Sequence, residues 1–279
     1  MTTVILVTNG IKLADEEYCK RIALPGLGIS MHRQAVSSVA EKIVDCLAQK
    51  KRTFQLTEKA WDNISKYWQG NVCVQLNILK PLFECGAIMD VFQWVRKMNY
   101  EPVMELTKPG PIFERGNSLD VSVDEVKELY EKMQEFDLKH YPQCYAEIIV
   151  PPSYGHNCTL VETGVHININ GNVIPCVAHD SLPLGNIFDT TLDNILEKSE
   201  LRLAIQDYRN WIVGPCKDCQ YFEYCHGGCR GEAFWDTGCP RASDPYCWYI
   251  PKGMTLKDMV PRSCAGCLLE NHPGCNKKI

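Results

Sequence analysis

The chain has 279 residues, enough to bury most of its unfolded surface in one large domain or two smaller ones without metal supplying the bulk of the core. Its formal net charge is −5, from 29 basic and 34 acidic residues with no long run of one sign, which excludes a nucleic-acid footprint and an acidic tail. The one apolar run near the N-terminus, Val4-Ile5-Leu6-Val7, is too short for a signal peptide or a membrane span, so the sequence predicts a cytoplasmic protein with no membrane partner, whose 16 cysteines bind metal or do chemistry rather than form disulfides.

In chain order, residues 4–7 read as a buried strand closed by Asn9-Gly10, and residues 27–31 as a second strand. Val36, Val39, Ile43, Cys46 and Leu47 recur at helical spacing, as do Trp61, Ile64 and Trp68 ahead of Gly70. A third strand is expected over residues 72–79. A helix carrying Ile88, Val91, Phe92, Val95 and Met98 follows, then a fourth strand over residues 102–106. Strands alternating with helices imply a parallel sheet, because consecutive parallel strands need a long crossover. About four such units amount to half of a (β/α)8 barrel. After a loop at 108–117, Ser122-x-x-Glu125 has the form of a capping box opening a helix with Val126, Leu129, Met133 and Phe136 on one face. A domain boundary is placed near residue 140. Cys19, Cys46, Cys73 and Cys85 read as small core residues.

Beyond that boundary the pattern changes. Val165, Ile167 and Ile169 alternate with polar residues, and Asn170-Gly171 before Val173-Ile174 predicts a two-residue type I′ hairpin. The hairpin returns Cys176 toward Cys158. A helix over about 191–198 leads to Cys216-x2-Cys219-x5-Cys225-x3-Cys229, followed by Cys239 and Cys247. Close cysteine pairs let one turn supply two soft, anionic ligands and direct backbone N–H groups at the sulfurs, and Gly227-Gly228 suits a backbone wrapped closely around a metal site. Structural zinc uses Cys-x2-Cys pairs too, and stands as the other metal reading.

Taken whole, Cys158-x12-Gly171-x4-Cys176, the four-cysteine run and Cys247 closely resemble the SPASM domain of radical S-adenosylmethionine (radical SAM) enzymes, and Pro183-Leu184-Gly185-Asn186-Ile187 is similar to that family's intervening segment. The resemblance implies an α/β fold: a partial (β/α) barrel of the radical SAM type over 1–140, a small cysteine-rich SPASM iron–sulfur domain over 141–252, and a cysteine-containing tail over 253–279. It implies two auxiliary 4Fe-4S clusters. Cys158, Cys176 and Cys229 would hold the first, and Cys216, Cys219, Cys225 and Cys247 the second. The family often has a cysteine about six residues before the first, where Pro152 stands here, so Cys144 is the candidate fourth ligand of the first cluster. His226 departs from the glycine common in that loop. Cys239 is expected to be unligated.

By the same resemblance, Thr8-Asn9-Gly10 and Ser30-Met31-His32 match strand ends of the family's barrel, and Ser30 and Asn77 become candidates for contacting S-adenosyl-L-methionine. The family's Cys-x3-Cys-x2-Cys, which holds the cluster that cleaves S-adenosyl-L-methionine, occurs nowhere in these residues. S-adenosyl-L-methionine and a third 4Fe-4S cluster are therefore expected only in an intact enzyme, and this chain alone should make no 5′-deoxyadenosyl radical. The expectation is a fragment beginning at the third barrel strand, since half a barrel leaves strand edges unpaired; the other reading is a degenerate homologue.

The implied function is that of the C-terminal part of a peptide- or protein-modifying maturase, an oxidoreductase served by a small electron donor such as ferredoxin or flavodoxin, with no nucleic acid involved. Sulfatase-maturing members have an Asp after the hairpin cysteine, where Val177 stands here, which argues against that substrate. The alternative is a non-catalytic iron–sulfur or zinc module for electron transfer or partner binding. Cys264-x2-Cys267-x4-His272-x2-Cys275 approaches a zinc-knuckle spacing but closes with too short a gap, and no set of the other histidines has ligand spacing.

Overall fold

The computed structural model describes residues 4–37, 40–107, 116–151, 166–176, 183–251 and 253–254. The chain forms two compact units, the first comprising Met1–Thr107 and Pro111–Glu147, the second Lys108–Gly110 and Ile148–Ile279.

In the first unit, β1 (Val4–Thr8), β2 (Leu27–His32), β3 (Val72–Ile78) and β4 (Glu101–Leu106) form one parallel sheet in sequence order. In-register neighbours of a parallel sheet share a face, and side chains alternate along each strand. One face is therefore apolar, with Ile29, Met31, Val72, Val74, Leu76, Ile78, Met104 and Leu106 all buried. The other carries Ser30, His32, Cys73, Gln75, Asn77, Glu101 and Glu105.

Helices α1 (Glu16–Ile22), α2 (Glu41–Leu47), α3 (Thr53–Tyr67), α4 (Lys80–Glu84), α5 (Ala87–Lys97) and α6 (Val123–His140) complete the unit. Apolar residues at helical spacing on α3, α5 and α6, among them Trp61, Ile64, Val91, Phe92, Val95, Leu129 and Met133, are buried. The capping box of α6 is present as expected: Ser122 Oγ accepts from Glu125 N while Glu125 accepts from Ser122 N at 2.8 Å.

Several expectations are corrected. Strand β1 is at the edge of the sheet, with Val4 60% and Val7 66% exposed rather than buried. Of the residues at helical spacing after β2, Ile43, Cys46 and Leu47 fall in α2, Val36 precedes it, and Val39 lies outside the described residues. Of the four presumed core cysteines only Cys19 is buried. Cys46 and Cys85 are exposed, and Cys73 lies on the polar face, donating to Glu101 Oε2 at 3.4 Å.

In the second unit β5 (His166–Ile167), β6 (Asn172–Ile174) and β7 (Gly185–Asn186) form an antiparallel sheet. The expected hairpin exists, but its turn is longer than type I′. Gly171 N donates to Asn168 O, Asn168 N to Asn172 O, and only Gly171 takes positive φ. This is the three-residue turn that ends in a left-handed glycine. Asn168 favours it because its side-chain oxygen accepts from both Asn170 N and Asn172 N.

Within the first unit, Asp137 is fully buried and accepts from Arg96 Nε at 2.9 Å and Nη2 at 2.7 Å, a bidentate pair joining α6 to α5. Removing one partner of a buried pair leaves a desolvated charge. Asp137→Ala is therefore expected to destabilise the first unit by about 3–5 kcal/mol in denaturant unfolding, with Ser122→Ala costing about 1 kcal/mol beside it.

Candidate metal centre

The cysteine loop is built from short pieces that regular structure alone would not hold. Cys216 lies in the 3-10 helix Gly214–Asp218, Cys219 directly after it, and Cys225 ends the helix Phe222–Cys225. His226, Gly227 and Gly228 then take left-handed φ in succession and turn the chain to Cys229, which precedes the helix Arg230–Thr237. Gly228 needs to be glycine twice over: its φ is +82°, and a Cβ there would come 2.4 Å from the Asp244 side chain. His226 occupies an αL position, a conformation that glycine takes at no cost and a side chain does not.

Asp244 is fully buried. It accepts from Cys229 N at 2.6 Å and Tyr246 N at 2.8 Å, and Cys247 N donates to the Asp244 carbonyl. The carboxylate thus ties the loop ending at Cys229 to the segment carrying Cys247.

The thiols of Cys216, Cys225 and Cys247 share one electrostatic neighbourhood: Cys216 acts on Cys225 and Cys247, Cys225 acts on Cys247, and Cys219 acts on Cys216 and Cys225. Burial is the first cause of their shifts. It pushes the Cys216 thiol up against an opposing hydrogen bond with Ser243 and the Arg230 charge. It pushes Cys225 up to about 11 and Cys247 up as well, with backbone hydrogen bonds from Gly227 and Tyr249 opposing. Tyr221 N also donates to Cys219 Sγ at 3.4 Å. Backbone N–H groups aimed at sulfurs favour thiolates, which is what a soft metal requires.

No two of the described cysteines are joined by a disulfide. Among the described residues no three His, Cys, Asp or Glu side chains converge closely enough to hold a metal ion as they stand. The donor chemistry nevertheless fits a thiolate-ligated cluster.

Cys176 is half-buried just after β6, while Cys144 closes the 3-10 helix Pro142–Cys144 in the first unit. Cys158, Pro152, Val177, Cys264, Cys267, His272 and Cys275 lie outside the described residues. Cys239 is buried in a small cluster with Ala233 and Ala242.

The first unit has a cavity of about 560 Å³ at the C-terminal ends of its strands. Asn9, His32, Asn77 and Thr107 line it, one from the end of each strand, and Val44, Leu47, Phe54 and Thr57 supply a wall from α2 and α3. Asn77 Oδ1 and His32 Nδ1 are buried atoms with no hydrogen-bond partner among the described residues. Ser30 is buried on β2 and is not part of the lining. Between the lining residues Asn9 and Ile11, Gly10 has φ +73°, and a Cβ there would collide with Met31 Sδ. His32, to which the sequence pattern assigned no role, lines the cavity from the same sheet face as Asn77.

The two units are of different kinds: a four-stranded parallel α/β unit, and a small cysteine-rich unit that carries the candidate metal centre. Residues 158–220 match the SPASM family model, described as an iron-sulfur cluster-binding domain.

Among particular proteins, the chain is 34% identical over 108 residues to the PqqA peptide cyclase of Bradyrhizobium diazoefficiens, covering 36% of this chain and 27% of that one. It is 28% identical over 141 residues to the PqqA peptide cyclase of Methylorubrum populi, covering 47% and 35%. Identity is 35% over 89 residues to the AdoMet-dependent heme synthase of Nitratidesulfovibrio vulgaris, covering 32% and 23%. The chain thus spans at most 35% of the length of these relatives. In fold it is similar to native anSMEcpe with bound AdoMet and the Kp18Cys peptide, with a TM-score of 0.61 and 17% identity over 82% of this chain and 66% of that one.

A thiol whose folded pKa lies above its unfolded value binds its proton more tightly when folded, so it contributes stability below the unfolded pKa that is lost as pH rises through the folded one. With Cys225 raised to about 11, the metal-free protein is expected to lose stability from about pH 9 to pH 11. Cys225→Ser should flatten that slope in a series of denaturant titrations.

Proposed function

We propose that this chain is the auxiliary-cluster part of a radical SAM/SPASM enzyme that modifies a peptide or protein. The observation that carries the reading is the set of thiols at Cys216, Cys219, Cys225 and Cys247, buried or half-buried, the last three supplied with backbone N–H groups, in a unit whose residues 158–220 match an iron–sulfur domain model. On this reading these four hold one 4Fe-4S cluster. Cys158, Cys176 and Cys229 belong to a second, with Cys144 the candidate fourth ligand. When bound, such clusters supply one-electron transfer and a fixed, charged wall to the substrate site.

The chain's own residues would do the rest. Burial of Cys216 and Cys225 excludes water from that ligand set. The cavity in the first unit is a suitable seat for S-adenosyl-L-methionine, where Asn77 Oδ1 can accept from a ribose hydroxyl and Val44, Leu47 and Phe54 can pack against the adenine. Ser30, one register step back on β2, would shape that seat rather than line it. A peptide substrate accords with the names of the peptide cyclases and of the peptide-bound structure this chain is similar to. A ferredoxin or flavodoxin would deliver electrons. These 279 residues contain no Cys-x3-Cys-x2-Cys, so cleavage of S-adenosyl-L-methionine would need those cysteines from polypeptide beyond them.

Anaerobic purification tests the reading. The chain should be brown, with about eight irons per polypeptide as expected of two cubanes. Reduced with dithionite in the presence of S-adenosyl-L-methionine, it should yield no 5′-deoxyadenosine unless a polypeptide carrying the missing triplet is supplied. A colourless protein containing zinc would refute the cluster assignment and favour the non-catalytic module.

A further inference from the structure

Arg230 opens the helix after Cys229 and is fully buried. Its hydrogen bonds go to main-chain carbonyls: Nε to Gly228 at 3.4 Å, Nη1 to Pro240 at 3.1 Å and Ala242 at 2.5 Å, and Nη2 to Gly227. Among the described residues no carboxylate pairs with it directly. A buried guanidinium answered by neutral oxygens keeps its full charge and projects it into a poorly screened interior.

That charge has a specific neighbour. Gly227 O, which accepts from Arg230, also faces Cys216 Sγ at 4.0 Å. In the thiol form the sulfur can donate to this oxygen. Once the thiol proton is replaced by metal that donor is gone, and a carbonyl oxygen confronts an anionic sulfur. Arg230 is the group that holds and neutralises that carbonyl. It also stands close to a ligand set whose negative charge grows with each electron accepted.

We infer that Arg230 is a positioning residue that compensates the charge of the cluster held by Cys216, Cys219, Cys225 and Cys247, keeping the Gly227 carbonyl compatible with a Cys216 thiolate and drawing the cluster's reduction potential to more positive values. Net charge and hydrogen bonding around the sulfurs are what a protein uses to set such a potential. The inference rests on those four cysteines being cluster ligands. Its counterweight is Asp244, whose carboxylate is engaged by Cys229 N and Tyr246 N in the same buried layer.

The test compares the full chain, reconstituted anaerobically, with Arg230→Gln, which removes the charge, and Arg230→Lys, which keeps it on a different donor geometry. Iron and sulfide content and the midpoint potential, from a dithionite titration followed by electron paramagnetic resonance, are the readouts. Arg230→Gln is expected either to load iron with a distinctly more negative potential or to fail to load. Arg230→Lys is expected to load and to stay at the wild-type potential. An Arg230→Gln protein that loads fully at unchanged potential would overturn the inference, and so would an Arg230→Lys protein that fails to load, since the tie would then be geometric rather than electrostatic. A wild-type chain that takes up no iron would instead overturn the cluster reading itself.

Discussion

Two buried charges of opposite sign, Arg230 and Asp244, hold the cysteine loop in place. The guanidinium gathers carbonyls from Gly227, Gly228, Pro240 and Ala242, and the carboxylate collects the N–H groups of Cys229 and Tyr246. Between them they fasten the loop before the helix Arg230–Thr237 to the segment after it. Hydrogen bonds to charged groups are each worth about 1.5–3 kcal/mol, and leaving either charge unanswered in the interior would cost several. The described sheet of this unit has only short strands, so this dense polar network works beside buried apolar residues such as Ile195, Ile212, Phe222 and Tyr246 in holding the loop. Cys216, Cys225, Cys229 and Cys247 inherit their positions from it.

The first unit uses the opposite device. Its four-stranded sheet has one apolar face, which is buried, and one polar face. Parallel strands all point the same way, so their C-terminal ends deliver Asn9, His32, Asn77 and Thr107 to one rim, and the helices that follow wall in a cavity there. Sites at the carboxyl ends of parallel strands are the rule for such sheets. The exposed Val4 and Val7 on edge strand β1 leave room for a further strand to pair.

Much of this was legible from periodicity and spacing. The strands and the longer helices α3, α5 and α6 follow from apolar alternation and the Ser122–Glu125 box, because burial on one face is what those patterns encode. What escaped was whatever depends on neighbours distant in sequence. Val4–Val7 reads as buried because an apolar run looks the same at the centre of a sheet and at its edge. Cys46 and Cys85 read as core because a thiol on a helix carries no sign of which face it occupies. The hairpin turn was misjudged because Asn168, outside the Asn-Gly pair, takes over its hydrogen bonding. Arg230 and Asp244 passed unnoticed among cysteines and glycines, where charged residues ordinarily mark a solvated loop. The available signal was a lone arginine directly after a cysteine in a Gly-Gly-Cys-Arg-Gly run, where so few side chains leave any other cation to answer buried carbonyls.

The central proposal is that the cysteines form two interleaved ligand sets, with Cys229 joining the hairpin cysteine in one and Cys247 closing the set begun by Cys216. The most direct measurement is the Mössbauer spectrum of iron-57-loaded protein in which one ligand of each set is removed in turn, Cys216→Ala against Cys176→Ala. Each substitution should remove or convert about half of the iron, the signature of one cubane of two, and leave the other half with its wild-type parameters. Loss of all iron from either single variant, or identical spectra from both, would contradict it.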